Sequence, residues 1–314
     1  MTIDVVIPAY KPGPKFIKLM ERLAQQDTPV RKVIVVNTEE KYWSERLLDE
    51  MGPEAAALLE VHHITKSEFD HGHTRNVGVS YSDADVVILM TDDAIAADNR
   101  LVSELIKAFE DPLVGASYAR QLAAEDSTIA EKFSREFNYP DIPHKKSAAD
   151  IDRLGIKTFF CSNVCAAYKR DIFVKLGGFV DLAIFNEDMV YAAKLIDNGY
   201  SICYCNKARV IHSHRLTNRE QMRRNFDLAV SQAMHPEVFD RVSSESEGIR
   251  FVLKAMGYFT RAGRPFAIIP FMITTVNKYY GFKMGRNYKN LSHEKIMKLT
   301  MSPLFFERLA NEDK

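Results

Sequence analysis

The chain has 314 residues, 46% of them hydrophobic and 27% charged, so it can bury a real core as one large domain or two modest ones. That composition excludes disorder and collagen-like or low-complexity architectures, and four cysteines are too few for a disulfide framework at this length. Lys+Arg and Asp+Glu balance at 42 each, so no net field favours nucleic acid or an acidic partner. The start shows no basic n-region followed by an adequate apolar stretch, and the longest near-continuous apolar run, Phe266 to Val276, is short for a span and contains Pro270. The expectation is a soluble, cytoplasmic protein.

In chain order, Asp4–Pro8 reads as a strand and Ala9–Pro14 as a loop, and Phe16, Leu19, Met20 and Leu23 fall at helical spacing. Lys32–Asn37 is a second strand, β-branched throughout as suits a sheet covered on both faces. A helix is expected within Trp43–Leu59, then a short strand Val61–Ile64. Asp85–Met90 is another buried strand, ending abruptly at Thr91-Asp92-Asp93, and Leu101, Leu105, Ile106 and Phe109 mark the next helix. This alternation predicts an α/β fold, a Rossmann-like, mostly parallel sheet flanked by helices. Ligands of such sheets sit beyond the carboxyl ends of the strands, which gathers Pro8–Tyr10, Asn37-Thr38 and Thr91-Asp92-Asp93 at one rim. Neither a Gly-x-Gly-x-x-Gly after the first strand nor a Walker A motif is present.

Several clusters could carry chemistry, each with a plainer reading beside it. An Asp pair directly after a buried strand suits Mg²⁺ or Mn²⁺, hard cations that take oxygen ligands and share them with phosphates; equally, Asp92 or Asp93 could cap the following helix. Asn186-Glu187-Asp188 opens a helical pattern, where an acid beside a bound hydroxyl serves as general base, or simply complements the helix dipole. His212 and His214 would share a face if their strand continues, and either could complete an oxygen-rich metal site. Asp70–Asn76 is a polar loop opening a helix, where Arg75 could grip a diphosphate, or a plain turn. Cys161, Cys165, Cys203 and Cys205 lack zinc-ligand spacing and read as small buried residues.

Together these pieces occur in the order found in family 2 glycosyltransferases. Val5–Tyr10, Val33–Thr38, Thr91-Asp92-Asp93, and Gly177-Gly178-Phe179 followed by Asn186-Glu187-Asp188 resemble that family and its GT-A fold, over roughly residues 3–235. Phe69–Asn76, Ala119-Arg120-Gln121 with Phe133–Pro140, and Ile211–His214 resemble its bacterial rhamnosyltransferase branch. The resemblance implies transfer of a sugar from a nucleoside diphosphate donor (dTDP or UDP, with dTDP-L-rhamnose the best match) to an acceptor hydroxyl, with inversion. The acceptor it implies is a glycan or lipid-linked glycan in bacterial surface polysaccharide synthesis. By the same resemblance Asp188 is the base. Asp93 and His212 bind the Mg²⁺ or Mn²⁺, with His214 in reserve. Pro8, Ala9, Tyr10, Asn37, Arg75, Asp92, Arg120, Gln121, Asn163 and Glu187 line the nucleotide-sugar site. Two positions depart from the family pattern: Asn37 stands where an Asp usually reads the base edge, and Thr91 replaces the first acid of Asp-x-Asp. They motivate the rival reading, a nucleotide-sugar or glycan-binding protein that has lost catalysis. A nucleotidyltransferase would show a Gly-rich phosphate loop after the first strand, and none is there.

Beyond about Pro236 the sheet pattern ends, so the expected division is a catalytic domain over 1–235 and a mainly helical extension over 236–314. From Arg250 to Lys298 there are ten Lys/Arg and one acid, Glu294. Aromatic and aliphatic residues interleaved with those cations suit a peripheral segment on the anionic inner face of the plasma membrane. The same pattern also suits a helical subdomain packed on the acidic remainder. Nucleic acid is not expected as a partner, since no recognised binding motif accompanies the charge.

Overall fold

The computed structural model describes residues 1–241 and 245–312. Among these, nine strands form one sheet: β1 (Ile3–Ala9), β2 (Lys32–Thr38), β3 (Leu59–Ile64), β4 (Val86–Met90), β5 (Ile95–Ala96), β6 (Val114–Leu122), β7 (His144–Lys146), β8 (Cys165–Lys169) and β9 (Ser201–Ile211). The helices over the sheet are α1 (Pro14–Ala24), α2 (Arg46–Glu50), α3 (Pro53–Ala56), α4 (His71–Ser80), α5 (Leu101–Ile106), α6 (Ile129–Asn138), α7 (Ile151–Leu154), α8 (Arg170–Lys175) and α9 (Glu187–Asp197). Beyond β9 the described elements are all helical: α10 (Asn218–Met234), α11 (Pro236–Phe239), α12 (Glu245–Arg261), α13 (Ile268–Arg286), α14 (His293–Leu299) and α15 (Pro303–Glu312), with short 3-10 turns between.

The sheet order is β3-β2-β1-β4-β8-β6-β9-β5, with β7 also on β9. β3, β2, β1 and β4 run parallel, β8 is inserted antiparallel between β4 and β6, and β9 returns parallel to β6. Register brings the functional rim together. Ala9 lies opposite Asn37 and Leu122 opposite Ile211, while Thr91 N donates to Val164 O just past the β4–β8 ladder. The first parallel strands alternate between two apolar layers. Val5 and Ile7 of β1 pack with Phe16, Leu19 and Leu101 on one face, and Val6 packs with Ile34, Leu89 and Tyr191 on the other. Each such fully buried Val, Ile or Leu contributes about 1.5–3 kcal/mol.

Local chemistry explains where the structure departs from the periodic reading. The helix expected within Trp43–Leu59 is two short helices, because Gly52-Pro53 interrupts it and a proline amide cannot continue a helical ladder. Asp92 and Asp93 cap no helix: a turn and β5 follow them, and Arg100 precedes α5. His212 and His214 lie beyond the end of β9, so no continuing strand aligns them. The Asp70–Asn76 stretch is neither loop nor plain turn. Asp70 Oδ1 accepts from Gly72 N and His73 N, both at 2.8 Å, capping α4.

α10 packs along α13, and Gly281 and Gly285 make this possible, since a Cβ at either would collide with the carbonyl oxygen of Met222 or Phe226. No helix among the described residues is long and apolar enough to cross a membrane.

Candidate active site

Three side chains converge where β4 and β9 end. His212 Nε2 is 3.4 Å from Asp93 Oδ1, and His214 Nδ1 is 3.6 Å from Asp93 Oδ2. Their ligand atoms lie within 4.8 Å of one another. Burial tends to raise the Asp93 pKa, but His212, His214 and Lys15 outweigh it and hold the carboxyl down at about 2. Burial, then the neighbouring His212, lowers His214 to about 4, so its imidazole is neutral at physiological pH. An ionised carboxylate with a neutral imidazole is the protonation state that metal coordination requires. His212 is buried; its Nδ1 lies 3.2 Å from Gln121 Oε1 and its Nε2 faces Asp93, so a proton carried on Nδ1 and donated to Gln121 would free Nε2 to bind a cation. The donor set therefore fits a divalent cation. Asp92 stands apart in character: burial pushes its carboxyl up to about 6, and its Oδ2 accepts from Tyr10 N at 3.3 Å.

A second acidic pair opens α9. Asn186 takes a left-handed conformation (φ 60°), which turns the chain so that Glu187 and Asp188 both enter the first helical turn. Glu187 is buried against Arg75 Nη1 (3.2 Å) and accepts from Asn163 Nδ2 (3.0 Å). Asp188 is less enclosed, and its Oδ2 accepts from Asn163 N at 3.1 Å. The segment ahead of them is clamped by Asn76 of α4, which donates to Phe179 O (2.9 Å) and accepts from Phe179 N (3.0 Å). Gly178, at φ +64° and against the Asn76 side chain, has no room for a Cβ.

Neighbouring carboxyls thus differ in ionisation. Burial alone raises Glu187, but Arg75, His71 and the Asn163 amide outweigh it and keep it below the ordinary range. For Asp188, burial and the adjacent Glu187 charge act together and push the pKa up to about 7. A carboxyl poised near neutrality and only partly enclosed can accept a proton from a hydroxyl.

The two acidic sites are joined by a series of polar contacts that the Ser162–Asn163 peptide completes. From Asp93 it runs to His212, then Gln121, whose Nε2 donates to Ser162 Oγ at 3.0 Å. Ser162 precedes Asn163, which donates to Asp188. Beside Asp92 lies the end of β1, where Tyr10 follows Pro8 and Ala9 of the strand. Asn37 in β2 is fully buried, donates to Glu39 O (3.1 Å), and contacts His63 Nδ1 (3.0 Å), yet its Oδ1 has no partner. Asn37 Oδ1 is thus a buried acceptor without a partner, on the residue opposite Ala9, and the Tyr10 ring that follows Ala9 is half exposed.

Of the residues singled out from sequence, Asp92, Asp93, His212, His214, Gln121, Asn163, Glu187 and Asp188 belong to this connected system, with Pro8, Ala9, Tyr10 and Asn37 at its edge. Arg75 reaches it only through Glu187, and its Nη1 also donates to His71 O at 2.7 Å. Arg120 lies elsewhere: its Nη1 pairs with Asp141 (2.6 Å), and it lines a groove with Arg100, Asn206 and Arg209. Sequence reading missed Lys15, 3.8 Å from Asp93 Oδ2, and Arg135, which donates to Gln121 Oε1 and sits 3.3 Å from His212 Nδ1. It also missed Arg224 of α10, stacked on Phe185 at 5.0 Å and attracted to Asp93. Helical cations carry no spacing signal for such convergence.

A profile described as glycosyl transferase family 2 matches residues 4–177. The O-antigen chain rhamnosyltransferase RfbN of Salmonella typhimurium is 39% identical over 295 residues, covering 93% of this chain and 91% of that protein. The O-antigen chain rhamnosyltransferase WbaN of Salmonella anatum is 40% identical over 230 residues, 73% of each. Among solved structures, the mannosyltransferase PcManGT of Pyrobaculum calidifontis, in complex with GDP-Man and Mn²⁺, superposes with a TM-score of 0.53 at 16% identity, over 99% of this chain and 86% of its own. TarS 1-349 of S. aureus in complex with UDP-GlcNAc does so with a TM-score of 0.50 at 15% identity, over 92% of each. At such identities the superpositions establish the fold, which is GT-A.

Proposed function

The chain belongs to glycosyl transferase family 2 and is a glycosyltransferase, and from that premise we propose that it transfers L-rhamnose from dTDP-L-rhamnose to a hydroxyl of a glycan or lipid-linked glycan in O-antigen synthesis, with inversion. Relatives at 39% and 40% identity that carry that activity in their names support the sugar and the polysaccharide. The observation that carries the mechanism is the polar chain linking Asp93, His212 and His214 to Asp188. It supports a donor diphosphate at one end of a continuous site and an acceptor hydroxyl at the other.

In this reading Asp188 takes the hydroxyl proton as the acceptor oxygen bonds to the anomeric carbon. The bond from that carbon to the diphosphate breaks, and the nucleoside diphosphate leaves from the opposite face. One displacement needs no covalent nucleophile. Asn163 holds Asp188 through its backbone amide and Glu187 through its side chain, fixing the base relative to the donor. Glu187, kept ionised by Arg75, holds a negative charge beside Asp188 that makes it a stronger base, an effect the Arg75 charge itself partly offsets. Asp93, His212 and His214 would hold Mn²⁺ or Mg²⁺, which neutralises charge on a departing diphosphate. Two imidazole nitrogens in the set favour Mn²⁺, since Mg²⁺ prefers oxygen and near-ideal octahedral geometry. Lys15, Arg135 and Arg224 supply further positive charge around Asp93. Asn37 Oδ1 would accept the ring N–H of thymine or uracil, and Tyr10 would pack on the base.

A thermal-shift panel of nucleoside diphosphate sugars, with and without Mn²⁺, tests the donor. dTDP-L-rhamnose with Mn²⁺ should stabilise the chain most, by about 2.7 kcal/mol at a concentration 100 times its Kd. Equal shifts for GDP- and dTDP-sugars, or shifts indifferent to the metal, would remove this reading of the donor site.

A further inference from the structure

Half of the large apolar side chains exposed among the described residues lie on two consecutive helices and the turn between them. On α12 these are Ile249, Leu253 and Met256; on α13, besides Tyr279, they are Ile269, Ile273, Val276 and Tyr280; Phe266, 85% exposed, stands in the turn between them. The spacings of four, three and four residues put each set on one helical stripe. The opposite faces are used for packing: Ala255 and Phe259 of α12 meet Phe271 of α13 and Phe133 of α6 in an aromatic cluster. The outward stripes are therefore not demanded by the core.

After Glu245 and Glu247 at the start of α12, the charge on this hairpin is equally one-sided. Residues 248–293 contain eight Lys/Arg and no Asp or Glu, so the remainder of the chain carries the compensating net −8. Arg261 and Arg264 flank Phe266 and are exposed, as are Lys254 and Lys283 along the helices.

We propose that the α12–α13 hairpin is a docking surface for an anionic lipid bilayer, lying in the interfacial plane with Phe266 and the two stripes inserted and the cations at headgroup level. A bilayer offers apolar depth and negative charge together, and this face presents the complement of both. A second copy of the chain would present the same cationic face in a symmetric contact and be repelled. Neither helix is long and apolar enough to cross, so the hairpin lies on the membrane rather than through it. The proposal does not depend on which sugar is transferred. It places the enzyme where an acceptor with a lipid anchor would be presented.

Flotation of the full chain with vesicles decides the matter. Binding is expected to vesicles of phosphatidylcholine with about a third phosphatidylglycerol, and to fall at least about tenfold between about 0.1 M and about 1 M salt as the Debye length shrinks from about 10 to about 3 Å. Phe266→Ser with Ile269→Ser, and separately Arg261→Glu with Arg264→Glu, should each weaken binding at least about tenfold while leaving the melting temperature and the donor-induced thermal shift unchanged. Three results would overturn the proposal. One is absence of flotation by the wild type. Another is equal binding to pure phosphatidylcholine with no response to salt. The third is a solution dimer that Phe266→Ser with Ile269→Ser dissociates without vesicle binding, which would assign the face to a second copy.

Discussion

Glu187 and Asp188 are consecutive carboxyls with opposite tendencies, and the difference is set by what touches them. Arg75 and the Asn163 amide take Glu187, while Asp188 has two backbone amides, from Asn163 and Met189, and no cation in contact. Pairs of titrating groups pushed apart in this way mark acid–base assignments. The folded pKa of Asp188 lies above the ordinary carboxylate value, so the fold holds a proton there that the unfolded chain releases first. Its ionisation therefore costs stability as pH climbs from about 4 to about 7, and the same ionisation creates the base. We expect kcat/KM to rise with unit slope on the acid side and level off near pH 7; a flat profile from pH 5 to 8 would remove Asp188 as the titrating group. At this scale the sequence was informative where chemistry is local, in the Asp-Asp, Glu-Asp and His-x-His groups. It was silent on Lys15 and Arg135, ordinary surface-type cations that tertiary packing alone brings to Asp93 and His212. It was misleading on Arg120, whose partner Asp141 nothing in the local pattern singles out.

Among the elements, β1, β2 and β4 were legible because they are buried, largely β-branched runs, the signature of a sheet covered on both faces, whereas β3 is a half-exposed edge strand marked only by Val61 and Ile64. β6, β8 and β9 were not. β8 is Cys-Ala-Ala-Tyr-Lys, and β9 carries Asn206, Lys207 and Arg209 in its middle, so neither has the apolar continuity or strict alternation that periodicity detects. These strands are recruited by tertiary pairing, and their ends deliver His212 and the Asn163 loop. The helical C-terminal part was legible as helix but not in its packing. α10 lies before the expected boundary at 235 yet packs along α13, through Gly281 and Gly285. Gly281→Val would drive a side chain into the Met222 carbonyl and should cost about 2 kcal/mol or more. Urea unfolding would show this as a lower midpoint with an unchanged slope; an unaltered midpoint would contradict the close approach.

For the whole molecule, the balance of 42 cations and 42 acids conceals a division of labour. The sheet domain places two acidic pairs, Asp92-Asp93 and Glu187-Asp188, in the connected polar system, and residues 248–293 of the helical region carry eight cations and no acid. The GT-A scaffold supplies the rim and α10 carries Arg224 toward it, so the helical part contributes charge to the site as well as a surface. The proposed function then rests on one arrangement: the donor diphosphate held at Asp93, His212 and His214, and Asp188 as the base, linked through Gln121 and the Ser162-Asn163 segment. The most direct test is Asp188→Asn, assayed in parallel for donor binding by calorimetry and for turnover with acceptor. The arrangement predicts a donor Kd within about threefold of wild type and turnover lowered at least about a hundredfold, the scale of lost proton transfer. Turnover near the wild-type rate would contradict it.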